Sequence, residues 1–180
     1  MSKRGGNGKR IYTSFKVVCA LAMLVSMFLI YEHFSEGAEK FCTFGKSFDC
    51  GIVNKSPYAS VDGFLYFLLF DVGVDVPLLN LSQYGLVVEF LTTNAFLGFL
   101  TFLYLLLSII HVEKKKKLFG ICVDRQLKTA KLILWLSLVY ALYLVYIEFF
   151  VLKTICIFCI VLDVLIILGL ILVYRLRRRL

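Results

Sequence analysis

Four cysteines fall into two close pairs, Cys42 and Cys50 in CTFGKSFDC and Cys156 and Cys159 in CIFC. Paired thiols can close a static disulfide, hold a soft metal, or pass two electrons by thiol–disulfide exchange. A CxxC bridge closes only a very short loop, so it stabilises a chain less than a long-range bridge would. At the start of a helix the same spacing puts both sulfurs on one face. The first then sits where free N–H groups and the helix dipole favour a thiolate, the nucleophile of exchange, and Lys153 adds positive charge just before it. Zinc ligation is an alternative, because CxxC is half of many zinc sites. The other pair is spaced Cx7C instead of as a second short knuckle, so no metal site is expected. Covalent haem needs CxxCH, and Ile160 follows Cys159. Two static disulfides are the remaining non-catalytic reading. Cys19 and Cys122 stand apart and read as ordinary reduced thiols, while His33 and His111 lie at the ends of apolar runs.

The elements that must position these pairs are membrane helices. The chain has 180 residues, 61% of them hydrophobic and 18% charged, with a mean hydropathy of +0.88. This excludes an ordinary soluble domain and intrinsic disorder alike. Four apolar stretches reach the roughly 20 residues a bilayer-crossing helix needs. They run over about 11–31, 86–110, 132–152 and 155–174. Lys16 lies near the start of the first, where a long side chain can snorkel to the interface. That first stretch is longer than a signal-peptide core and no small-x-small site follows it, so it is expected to remain as a span. Open sheets cannot satisfy their backbone in lipid and no barrel-strand alternation recurs, so the expected class is an all-α integral membrane bundle of four helices. The run GFLYFLLF (63–70) is too short to cross and reads as a half-helix in an extracytoplasmic cap over about 32–85. The whole of 1–180 reads as one domain.

The formal net charge of +8 reflects topology, not nucleic-acid binding. The basic residues gather in the N-terminal segment, in the connection holding Lys114 to Lys117, Arg125, Lys128 and Lys131, and in the tail from Arg175 to Arg179. The positive-inside rule puts these three segments, and both termini, in the cytoplasm. The segment between the first two spans carries Glu32, Glu36, Glu39, Asp49, Asp62, Asp71 and Asp75 and faces outward. Both cysteine pairs therefore meet at one membrane face, with Cys159 about one turn deeper than Cys156. Asn94, flanked by Thr92, Thr93 and Ala95, is costly on an apolar span unless it meets a partner inside the bundle, whether a ligand or another helix. Asp163, one turn beyond Cys159, is an intramembrane carboxyl able to relay a proton. Phe64, Tyr66, Phe67, Phe70 and Leu97 are candidates to line an apolar pocket, or simply to pack. Asn54-Lys55-Ser56 and Asn80-Leu81-Ser82 match glycosylation sequons, with Pro57 following the first.

Four spans, an outward Cx7C loop, a CIFC at the outer end of the last span and the string CGIVNKSPYASVDG together resemble the vitamin K epoxide reductase family over nearly the whole chain. The SPYA wording and the lack of a fused thioredoxin-like domain look more like a prokaryotic member than the vertebrate enzyme. The resemblance implies a membrane oxidoreductase exchanging two electrons between protein thiols and a quinone of the menaquinone, ubiquinone or vitamin K type. Carried over by position, Cys156 and Cys159 would be the redox pair beside the quinone. Cys42 and Cys50 would be the shuttle pair that meets a thioredoxin-like or secreted dithiol partner, with a transient Cys50–Cys156 disulfide between the two pairs. Asn94, in NAFLG, matches the asparagine that donates to a quinone oxygen. Ser56 matches the serine that helps hold the loop cap. Asp163 stands where the vertebrate pattern has a tyrosine, which leaves epoxide chemistry and inhibitor sensitivity open.

The expected protein is thus a multi-pass membrane oxidoreductase, in the cell membrane or, in a eukaryote, the endoplasmic reticulum. It would pass electrons from protein dithiols to quinone in support of disulfide formation in exported proteins. A vitamin K epoxide or quinone reductase using a thiol donor, and a non-enzymatic protein with structural disulfides, are the alternatives.

Overall fold

The computed structural model describes residues 3–35, 42–44, 48–71, 85–114 and 122–178. Four of its helices are long and apolar enough to cross a bilayer. The chain opens with α1 (Lys3–Phe34), then a ribbon of β1 (Thr43–Phe44) and β2 (Phe48–Asp49), the short α2 (Cys50–Asn54) and a 3₁₀ turn (Pro57–Ala59). After these come α3 (Val61–Asp71), α4 (Leu86–Thr92), α5 (Asn94–Glu113), α6 (Val123–Tyr146) and α7 (Ile157–Arg177). The sequon at Asn80, the acidic residues Glu36, Glu39 and Asp75 and the side chains of Phe70 and Asp71 lie outside the described residues.

The bundle core repeats at helical spacing. Phe15, Val18, Cys19 and Ala22 of α1 face Phe102, Leu105, Ile109 and Val112 of α5, with Leu127, Ala130 and Leu134 of α6 and Leu165, Ile166, Leu170 and Val173 of α7 completing the cluster. Steps of three and four residues keep each set on one stripe, while Leu24, Leu136, Val139 and Leu142 stay exposed as lipid-facing residues do. Small residues let helices approach closely: a Cβ on Gly98 of α5 would lie 3.4 Å from Ser26 Oγ of α1, and one on Gly169 of α7 3.3 Å from Leu134 Cδ2. Lys16 does more than reach toward water, because its Nζ pairs with Glu113 Oε2 and ties α1 to the end of α5.

Two expected boundaries shift, and the expected end of the third span at 152 holds. The stretch expected as one span over 86–110 breaks at Thr93, whose backbone is extended (φ −62°, ψ 137°) and forms an antiparallel bridge with Ser60. Thr93 Oγ1 accepts from Phe96 N at 3.4 Å, so Thr93 caps a new helix and Asn94 occupies its first position instead of mid-span. The third span begins at Val123, not near 132, because Asp124 in the first turn and its i,i+4 ion pair with Lys128 (2.6 Å) carry the helix through a polar turn that hydropathy does not mark. Its far end loosens into a π-type turn, Ile147–Leu152, and the chain reverses at Lys153 in the left-handed region (φ 54°).

The half-helix expected over 63–70 is α3, and it lies against the 3₁₀ turn at its own entrance. Gly63 permits this contact, since a Cβ there would sit 2.2 Å from Pro57 O and 2.7 Å from Tyr58 Cα. Gly63→Ala should therefore lower the thermal unfolding midpoint in detergent, by the equivalent of about 1–3 kcal/mol for a contact that backbone alone must relieve. Gly98→Ala, with only a side-chain hydroxyl to displace, should stay close to wild type. Equal stability of the two variants would contradict this packing.

Candidate functional site

The ribbon register sets the first pair. Thr43 lies opposite Asp49 and Phe44 opposite Phe48, so Cys42 and Cys50 flank the last matched rung and face each other. They form a disulfide across a Cα–Cα distance of 5.5 Å, and both are fully buried. Asp49 caps α2, its Oδ1 accepting from Ile52 N at 3.1 Å. The same residue docks the loop onto the bundle: Asp49 N donates to Ile155 O at 3.2 Å, and Phe48 forms a parallel bridge with Ile155. The residues next to this contact in sequence are Cys50 on one side and Cys156 on the other. One buried cluster accordingly holds Cys42, Cys50 and Cys156 with Leu29, Val53 and Ala95, and Cys159 packs against it.

Cys156 was expected in the first turn of the last span, but it is the residue before that helix (φ −95°, ψ 113°), with Cys159 in the first turn. Its sulfur acts as the cap, accepting from Cys159 N at 3.2 Å, in the place a serine or aspartate oxygen usually takes. Both are free thiols, Cys156 fully buried and Cys159 partly so. Lys153 has an exposed side chain. Glu148, in the π-type turn, reaches across the reversal and accepts from Cys156 N at 3.0 Å through Oε2, while its own carbonyl accepts from Thr154 N at 3.1 Å.

A second set of groups lies beside this cluster. Asn94 precedes Ala95 and is held at both ends of its amide: Nδ2 donates to Tyr58 O at 3.0 Å, and Oδ1 accepts from Tyr140 Oη at 2.6 Å. The amide keeps one further N–H and one further lone pair. Phe64 packs edge-on to Tyr140 and Tyr143 (ring centroids 5.0 Å in both cases), and Phe67 packs on Tyr143 at 4.9 Å. An aromatic, apolar wall beside a fixed amide suits a flat lipophilic carbonyl compound. Ser56 Oγ donates to Val53 O at 2.7 Å and closes the turn after α2, as a residue holding the cap would. Leu97 is exposed on α5 and belongs to neither buried cluster, and Asp163 is partly buried on α7.

Two buried carboxylates at the site were not singled out in the sequence. A carboxylate oxygen of Glu148 and the sulfurs of Cys156 and Cys159 all lie within 4.8 Å of one another, as do Glu32 with Cys42 and Cys50. Glu32 read as part of an outward-facing acidic segment, yet the loop covers the end of α1 and leaves it 0% exposed. The signal at Glu148 was a lone carboxylate inside an otherwise apolar span. His33 also does more than mark an interface, since Nδ1 contacts Asn54 O at 2.6 Å and Nε2 lies 3.4 Å from Glu89 Oε1. Asn54 is buried and donates to Leu29 O at 2.6 Å, which removes it as a glycan acceptor. Tyr140→Phe deletes one partner of the Asn94 amide and should lower stability by about 1–2 kcal/mol in thermal unfolding. Tyr146→Phe, on an exposed ring, should have no measurable effect.

Comparison with curated proteins finds no match. The model of the vitamin K epoxide reductase family matches residues 14–174. The match takes in all four apolar helices and both cysteine pairs, and with it this chain belongs to the vitamin K epoxide reductase family, whose members are membrane oxidoreductases.

Proposed function

We propose that the protein is a thiol–disulfide oxidoreductase that passes electrons from protein dithiols through its two cysteine pairs to a membrane quinone, supporting disulfide formation in exported proteins. The observation that carries this reading is the docking of β2 on Ile155, which places Cys50 and Cys156 in one buried cluster. Residues 1–180 act as one domain, with both termini cytoplasmic and the cysteines at the outer face of the cell membrane, or of the endoplasmic reticulum membrane in a eukaryote.

The relay works by successive displacement. A partner dithiol, secreted or thioredoxin-like, attacks the Cys42–Cys50 disulfide and resolves on itself, leaving both loop thiols reduced. The Cys50 thiolate then attacks Cys156 of an oxidised CIFC pair, and Cys159 leaves as the thiolate. Cys42 attacks Cys50 in turn, so the loop disulfide re-forms and Cys156 and Cys159 hold the two electrons. A bound quinone of the menaquinone, ubiquinone or vitamin K type supplies a two-electron, two-proton acceptor. Asn94 donates its remaining N–H to that ligand, Phe64 and Phe67 wall it, and Leu97 lies toward the lipid from which it enters. Ser56 holds the loop, and Asp163 carries a proton one turn below Cys159. Reduction of vitamin K epoxide or quinone by a thiol donor is the second reading, which the family match fits equally.

Stopped-flow absorbance of the detergent-purified protein with a soluble quinone and a dithiol tests the relay. Wild type should reduce the quinone, Cys159→Ala should abolish reduction, and Cys50→Ala should block transfer from a protein dithiol while sparing a small one. Cys42→Ala should accumulate a Cys50–Cys156 disulfide, visible on non-reducing gels after proteolysis. Wild-type behaviour of both the Cys159 and Cys50 variants would mean static disulfides and would remove the oxidoreductase reading.

A further inference from the structure

The relay above leaves one group at its centre without a task. Glu148 is 2% exposed, sits in the only described π-type turn, and points its carboxylate at the CIFC pair. One of its oxygens accepts from the Cys156 amide at 3.0 Å, and a carboxylate oxygen lies within 4.8 Å of both the Cys156 and Cys159 sulfurs. Cys156 Sγ is already engaged as the helix cap, accepting from Cys159 N. Oxidation of a dithiol must shed two protons, and with Cys156 fully buried and Cys159 packed against the same cluster, a nearby side chain is needed to take them. The carboxylate is the basic group placed to receive one.

We propose that Glu148 is the proton acceptor for Cys159: its carboxylate takes the Cys159 thiol proton, and so generates the attacking thiolate, each time the CIFC pair hands on its electrons. The proposal rests on the redox reading of that pair. The Cys159 S–H bond breaks, its proton moves to the Glu148 carboxylate, and the S–S bond forms as Cys156 loses the second proton. Two electrons and both protons, one by way of Glu148, leave on the quinone as quinol. Glu148 returns to its carboxylate form for the next turnover. The hydrogen bond to Cys156 N holds the carboxylate across the reversal, with a carboxylate oxygen within 4.8 Å of both sulfurs.

Glu148→Gln separates this role from a purely structural one, because the amide oxygen can still accept from Cys156 N but cannot take a proton. Two rates are read on the full-length, detergent-purified protein after reduction: single-turnover reduction of a soluble quinone, and iodoacetamide alkylation of Cys159, followed by mass spectrometry of its peptide. Glu148→Gln should keep the wild-type unfolding midpoint, slow quinone reduction about a hundredfold, and slow Cys159 alkylation about tenfold or more. Glu148→Asp should be faster than Glu148→Gln in both. Wild-type rates in Glu148→Gln, or an Asp variant no faster than the Gln variant, would overturn the proposal and leave Glu148 as a brace for the reversal. A wild type that reduces no quinone, with Cys159 alkylation still slowed in Glu148→Gln, would remove the quinone reading and keep the proton acceptor.

Discussion

The bond from Asp49 N to Ile155 O is the contact on which the site depends. It joins a two-residue ribbon to the reversal between α6 and α7, two pieces of irregular chain more than a hundred residues apart. Each carries a cysteine next to the contact, Cys50 after Asp49 and Cys156 after Ile155. A single backbone hydrogen bond contributes only about 1 kcal/mol. Its importance is geometric, because without this register the two sulfur pairs would share a membrane face but not a cluster. Asp49 serves twice, capping α2 with its side chain and docking the loop with its backbone.

The four long helices supply the rigid frame for that contact, and their interruptions supply the site. The interior of a helix commits its backbone groups to its own hydrogen bonds and has none to lend. Thr93, the turn at Ile147–Leu152 and the bridged Ile155 with Cys156 are the places where backbone is released; Thr93, Ile147, Glu148 and Cys156 are buried there, while Phe149 to Val151 are exposed. Thr93 bridges Ser60 and starts α5 on Asn94, while the opened turn lets Glu148 reach Cys156 N. Non-helical backbone at membrane depth is tolerated where protein covers it.

Burial shapes the chemistry. Cys42, Cys50, Cys156 and Glu32 are at 0% exposure, so the two pairs meet away from water. A dry site protects a mixed disulfide from competing thiols but leaves protons without a solvent to take them, and a carboxylate lies within 4.8 Å of the sulfurs of each pair. The asparagine and its tyrosine partner show the same economy, with the Asn94 amide fixed by Tyr58 and Tyr140 before any ligand arrives.

The amino-acid sequence by itself determined the membrane class, the four apolar helices, the half-helix and the two cysteine pairs at one face, because these follow from local composition, charge placement and short spacing. The family string around Asn94 and Ser56 singled out both residues but not the contacts they make. Tertiary structure alone decided what each group touches. The break at Thr93, the cap made by Cys156 Sγ, the Asn94–Tyr140 bond and the burial of Glu32 and Glu148 beside the sulfurs all arise where distant segments meet. Hydropathy scores a residue by its neighbours in sequence, so it reads Glu148 as a stray charge in a span and Glu32 as part of an acidic loop. A carboxylate acquires a role from the atoms around it in space, and those come from parts of the chain that no local pattern connects.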